Sequence, residues 1–150
     1  INNKLVLAYI GNGKSANRLP FTFCLTKIRI ILFVKKIFDI RIRHDLWKTI
    51  DGVEYVEDVN KILNDPKIDM VVICTAHHLH YDYAKMVLNA GKHCLVEKPF
   101  MENSAQAKEI FLLLLMRKAV FSAYQNRRYD SDFLTIQKVI ESGKLGDLLE

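Results

Sequence analysis

Leu5-Val6-Leu7-Ala8-Tyr9-Ile10-Gly11-Asn12-Gly13-Lys14-Ser15-Ala16 decides the fold. A short apolar run breaks at a glycine, a second glycine follows two residues later, and a small residue stands three beyond that. The run predicts a buried strand, the glycines a tight turn, and the residues from about Ser15 to Leu25 a helix. In a strand-turn-helix of this kind the first glycine makes the turn, the second lets a pyrophosphate approach the backbone, and the third small residue packs the helix close. The helix N-terminus then adds positive potential for phosphate.

Working outward, Ile30 to Phe38 predicts a second strand, and Asp39 stands at its end, 23 residues after Ala16. That is where a carboxylate can accept hydrogen bonds from both hydroxyls of an adenosine ribose. An irregular segment follows, with a turn at Asp51-Gly52, then a helix from about Glu57 to Asn64. Asp69 to Thr75 is a strand apolar on both faces, as parallel strands are. His78 to Ala90 is an amphipathic helix capped by Gly91. His93 to Glu97 is a strand, Asn103 with Gln106 opens a helix to about Lys118, and Ala119 to Tyr124 is the last strand. This alternation implies an α/β fold, a doubly wound parallel sheet covered on both faces.

The 150 residues suit one domain of ordinary globular composition, half of them apolar and 26% charged. The net charge of +5 is unevenly spread. Nine bases against two acids between Lys14 and Lys48 give that segment +7 and leave −2 elsewhere. Such an excess fits a cofactor's phosphates or a solvated basic face. Nucleic acid is disfavoured, because these bases fall on an alternating strand and a loop and do not form one face. Cys24, Cys74 and Cys94 lie in apolar runs with no metal-ligand spacing, which indicates reduced thiols of a cytoplasmic protein. The longest apolar run, Ile110 to Met116, falls far short of the ~20 residues of a membrane span. As a helix it would be apolar all round, and so either covered by a partner or a missing segment or a liability for solubility.

Two further motifs follow strands. His77, His78 and His80 with Asp82 sit too close along the chain for their ligand atoms to converge, so no metal is expected. The loop that carries them instead lines the crevice at the carboxyl ends of the strands. Glu97-Lys98-Pro99 follows the next strand, where a lysine can serve a hydroxyl or carbonyl of a substrate; a structural Lys-Glu pair before a turn is the alternative. Asp39 favours NAD by repelling a 2′-phosphate, while Arg41 and Arg43 keep NADP admissible.

The stretches Gly11 to Arg18, Ile73 to His80, Ala90 to Pro99 and Tyr124 to Arg128 together resemble the N-terminal half of the Gfo/Idh/MocA oxidoreductases, the glucose-fructose oxidoreductase and inositol dehydrogenase group. The resemblance implies a Rossmann domain over residues 1–124. Residues 125–150 would then be a linking helix and the start of a second, α+β substrate domain. It implies NAD(P)-dependent hydride transfer to or from a sugar, polyol or related small molecule, with homo-oligomers compatible. Gly11, Gly13, Lys14, Ser15 and Ala16 would serve the pyrophosphate, Asp39 the adenosine ribose, and Thr75, His77 and His80 the crevice. Glu97 would hold the nicotinamide-side ribose, Lys98 would reach both cofactor and substrate as the catalytic lysine, and Asn126 and Arg127 would touch substrate. Relatives are more than twice as long and draw a further catalytic Asp and His from the second domain. The expectation for this chain alone is therefore cofactor binding with little turnover. The competing expectation is a non-catalytic dinucleotide-binding sensor that acts through a partner chain.

Overall fold

A computed structural model describes residues 4–11, 32–39 and 50–147. The helix expected after Gly13, and with it Gly13, Lys14, Ser15, Ala16, Arg41, Arg43 and Cys24, lies outside these residues.

Six parallel strands form one sheet: β1 (Leu5–Ile10), β2 (Leu32–Phe38), β3 (Glu54–Val56), β4 (Met70–Ile73), β5 (His93–Val96) and β6 (Phe121–Ala123). Their order across the sheet is β3-β2-β1-β4-β5-β6. The chain thus starts in the middle, winds to one edge, returns, and winds to the other. The strand order reverses between β1 and β4, and in sheets of this topology ligands bind at such a point, beyond the carboxyl ends of the strands.

The alternation of side chains sorts the core into two layers. Ala8, Ile10, Val71, Ile73, Cys94 and Val96 face one side, with Ile62 of α1 (Asn60–Leu63), Ala84, Val87 and Leu88 of α2 (His80–Asn89), and Ile110 and Leu113 of α3 (Ser104–Arg117). Leu7, Tyr9, Val34, Ile37, Val72 and Cys74 face the other. Both faces of the central strands are buried, which is why they are continuously apolar in sequence.

The expected irregular segment contains a strand. The turn Asp51-Gly52, with Gly52 at φ +82°, leads into β3, whose Glu54 pairs with Lys36 of β2. Three residues between acids carry too little periodicity to be seen alone; pairing to β2 and the burial of Val56 specify the strand. The helix expected over Glu57 to Asn64 is correspondingly confined to α1. For α3 the expected cap is present: the Asn103 side chain accepts from the Gln106 N–H at 3.0 Å, while the Gln106 side chain accepts from the Glu102 N–H at 3.1 Å. One of the helix's orphan amides is thereby satisfied, and the residue before the cap is tied back to the first turn.

At the opposite, amino-terminal edge a compact polar network ties the connections together. The register of β1 on β2 shifts after Leu7, which pairs with Val34, while Ala8 pairs with Lys36. Lys35 is the extra residue of this bulge. Neighbouring strand residues normally point to opposite faces, yet here both Lys35 and Lys36 reach the Asp65 carboxylate. Two of the nine bases in the basic segment therefore neutralise an internal acid rather than a ligand. Lys92, buried after the Gly91 cap, donates to the carbonyls of Asp65 (2.7 Å) and Ile68 (2.9 Å). Asp69 accepts from the Val6 N–H at 2.8 Å and its carbonyl accepts from His93 at 3.0 Å. No local sequence pattern marks this network.

After β6 comes a single turn of tight helix, Asn126–Tyr129, and then α4 (Ser131–Glu141), every residue of which is exposed. The apolar helix singled out in the sequence buries Ile110 and Leu113 and exposes Phe111, Leu112, Leu115 and Met116. Among the described residues no helix is long and apolar enough to cross a membrane.

The lysines hold the Asp65 carboxyl well below the usual carboxylate range, Lys35 first by a hydrogen bond. Its folded form therefore binds a proton less tightly than the unfolded chain does. This contribution is present at neutral pH, begins to fade as pH falls through the ordinary value of 3.8, and is gone below the folded-state value. Urea unfolding across the acid range should show Asp65→Asn less stable than the parent at neutral pH by about 2 kcal/mol. The gap should narrow as pH falls; a constant gap at all pH values would exclude this role.

Candidate cofactor site at the carboxyl edge

The site is built by one hydrogen-bonding row. In register, Ile10 pairs with Phe38 and Ile73, Ile73 with Val96, and Val96 with Ala123. One position farther on, each strand's successor donates its N–H to the last residue of the strand beside it. Gly11 donates to the Phe38 carbonyl at 2.7 Å, Cys74 to Ile10 at 2.8 Å, Glu97 to Ile73 at 2.9 Å and Tyr124 to Val96 at 2.8 Å. Asp39, Gly11, Cys74, Glu97 and Tyr124 consequently form a single line across the edge. The backbone there is fixed although the strands have ended.

Gly11 sits where β1 meets both neighbours, at φ +98°. A Cβ built on it would lie 2.5 Å from the Cys74 carbonyl oxygen and 3.1 Å from the Thr75 nitrogen. The first glycine of the motif is thus required by the contact with β4 as well as by the turn.

Asp39 follows β2 directly. Its charge, after burial, helps push the Tyr83 phenol of α2 upward, so the two groups are near one another. The Tyr83 ring meets Phe38 edge-on with centroids 6.2 Å apart.

The loop beyond β4 divides its histidines. His77 and His78 are exposed, whereas His80 is fully buried at the start of α2. His80 Nδ1 donates to the Pro99 carbonyl at 2.8 Å, and Nε2 lies 3.3 Å from the Thr75 carbonyl. One ring therefore bridges the loops after β4 and β5 and fixes the distance between Thr75 and the Glu97-Lys98-Pro99 turn, whose Lys98-Pro99 bond is cis. The His77 and His80 rings stand 5.7 Å apart, edge to face. With both His80 nitrogens turned to carbonyls, these histidines do not converge on a metal. Among the described residues no group of three or more potential ligands does.

Glu97 is half-buried and accepts a hydrogen bond from the Lys98 N–H at 3.1 Å. Lys98 is exposed, and among the described residues no ion pair holds its ammonium group. The Cys74 thiol beside Glu97 is pushed up to about 12 by burial and then by the Glu97 charge, and burial likewise raises Cys94. Both are thiols at neutral pH, as expected for core cysteines. Asn126 and Arg127 lie beyond β6 on the exposed turn, with Arg127 paired to Asp130 at 2.7 Å. Sequence reasoning overlooked Cys74 and Tyr124 as members of this row. Their positions, one residue beyond β4 and β6, were the signal.

The GFO/IDH/MocA oxidoreductase family model, described as an NAD-binding Rossmann fold, matches residues 36–125. The chain belongs to this family. It is 42% identical over 144 residues to the uncharacterized oxidoreductase YhhX of Escherichia coli, covering 95% of this chain and 41% of that protein. The crystal structure of the probable oxidoreductase yhhX superposes with a TM-score of 0.89 at 40% identity, over 97% of this chain and 42% of the other. The Bacillus subtilis protein named scyllo-inositol 2-dehydrogenase (NADP(+)) IolW is 37% identical over 95 residues, 63% of this chain and 26% of that protein. The GFO/IDH/MocA chain described here thus spans about two-fifths of the length of YhhX.

Gly11→Ala tests the geometry at the switch point. The methyl group must displace β4 backbone and adopt a φ that L residues resist, so urea denaturation should show a loss of at least about 2 kcal/mol. Parent-like stability would mean that the close approach of β1 to β4 is not required.

Proposed function

We propose that this chain is the nucleotide-binding half of an NAD(P)-dependent dehydrogenase that acts on a polyol, sugar or related small molecule. The observation that supports this best is the row at the carboxyl edge. It brings a glycine at a switch point, a carboxylate after β2 and a Glu-Lys pair after β5 to one side of the sheet.

The residues fit a dinucleotide. Asp39 can accept from the two hydroxyls of the adenosine ribose, and its charge opposes a 2′-phosphate, so NAD is the expected cofactor. Gly11, together with Gly13, Lys14, Ser15 and Ala16, would serve the pyrophosphate, and Thr75 and His77 would border the crevice. His80 holds that crevice open at a set width. Glu97 would hold the nicotinamide-side ribose. When bound, the cofactor supplies or accepts hydride.

Lys98, exposed beside Glu97, is the residue assigned to the reacting oxygen. Its ammonium group hydrogen-bonds the substrate oxygen and carries the proton that leaves or joins it. Asn126 and Arg127 would extend the surface toward substrate. Since YhhX and its like continue well beyond the matched length, groups from both halves would be needed to hold a substrate against the nicotinamide. Cofactor binding is accordingly the property to measure on this chain. That the name of IolW specifies NADP and an inositol supports the polyol class and makes the preference for NAD a sharp test.

Calorimetric titration should detect NADH binding to the chain, at least tenfold tighter than NADPH. Asp39→Ala should weaken NADH about tenfold, the worth of a charge-assisted hydrogen bond, while Lys98→Ala should leave NADH affinity within about twofold. Absence of heat with either cofactor would refute the proposal.

A further inference from the structure

The row at the carboxyl edge has a member with no assigned role. Tyr124 follows β6 as Glu97 follows β5, and its N–H donates to the Val96 carbonyl at 2.8 Å, immediately before Glu97 in the chain. Because Val96 and Ala123 are paired, Glu97 and Tyr124 stand side by side in the next register position. Cys74 flanks Glu97 on the other side in the same way. In a parallel sheet, residues in register direct their side chains to the same face. Glu97 is therefore set between a buried thiol and a half-buried phenol.

The electrostatics agree with this placement. After burial, the Glu97 charge and then Cys74 raise the Tyr124 phenol, and the Glu97 charge raises Cys74 in turn. Tyr124 stays neutral, keeps its O–H as a donor, and stands in register beside a residue whose own backbone is locked to β4. Cys74 offers only a weak donor. The phenol is the stronger of the two neighbours available to orient the Glu97 carboxylate.

We propose that Tyr124 is a positioning residue that acts through Glu97: its phenol holds the carboxylate in the orientation in which it receives the hydroxyls of the nicotinamide-side ribose. This rests on the cofactor reading of the carboxyl edge. One Glu97 carboxylate oxygen accepts the Lys98 N–H at 3.1 Å; in this role the phenol is a second donor to the carboxylate, and the remaining lone pairs are left for ribose. Tyr124 thus makes β6, the outermost strand, part of the cofactor site and links that site to the Asn126-Arg127 turn that follows.

The test is a double-mutant cycle on cofactor affinity, with NADH and ADP titrated separately into the parent, Tyr124→Phe, Glu97→Gln and the double variant. ADP lacks the nicotinamide-side ribose and serves as the control for fold and for the adenosine subsite. Tyr124→Phe should weaken NADH about fivefold, the worth of one hydrogen bond, and leave ADP unchanged. In the Glu97→Gln background the same change should have no effect on NADH, since the phenol acts only through the carboxylate. Equal weakening of NADH and ADP, no weakening at all, or additive losses in the double variant would each overturn the assignment of Tyr124 while leaving the cofactor reading intact. Failure of the parent chain to bind NADH would overturn both.

Discussion

Four backbone hydrogen bonds at the carboxyl edge of the sheet govern the rest of the molecule. From Gly11 to Phe38, Cys74 to Ile10, Glu97 to Ile73 and Tyr124 to Val96, they continue the ladder one residue past the strands. Loops ordinarily begin where the ladder ends and take their mobility from that point. Here the first residue of each loop remains part of the sheet. A carboxylate after β2 and another after β5 are thereby held at a separation set by strand spacing rather than by loop conformation. His80 reinforces the arrangement from below by joining the Thr75 and Pro99 carbonyls.

The two edges of the sheet divide their chemistry. At the amino edge, Lys35, Lys36, Asp65, Asp69 and Lys92 satisfy one another and nearby backbone groups, so that charge there serves the fold. At the carboxyl edge, Lys98 and the exposed histidines have few internal obligations and remain available to a ligand. The separation follows from parallel topology, which brings every strand's start to one side and every strand's end to the other. It also revises the meaning of the basic excess between Lys14 and Lys48. Lys35 and Lys36 belong to the amino-edge network, so two of the nine bases serve the fold.

Much of this was legible in the sequence, for reasons that differ by element. β1 and β4 were visible because strands buried on both faces leave unbroken apolar runs, and α3 because Asn103 and Gln106 mark its start. Gly11 was legible as a turn glycine; its contact with Cys74 was not, since nothing in the sequence pairs residue 11 with residue 74 until the strand order is known. β3 escaped because three residues bear no periodicity. Lys92 looked like any surface lysine after a helix-capping glycine, and only tertiary placement reveals the two carbonyls it satisfies. His80 was grouped with His77 as lining the crevice, whereas burial makes it a brace. Tyr124 was legible as the end of the last strand and the start of the Tyr124 to Arg128 stretch, with no link to Glu97, because that neighbour is 27 positions away in the chain.

The central claim is that a dinucleotide lies along the row from Asp39 to Tyr124, across the switch point at Gly11. Amide chemical shifts followed by NMR during addition of NAD+ test it most directly. The account predicts changes concentrated at Gly11, Asp39, Thr75, Glu97 and Lys98, with the amino-edge residues Asp65, Asp69 and Lys92 unmoved. Changes centred on the amino edge, or none at saturating NAD+, would contradict it.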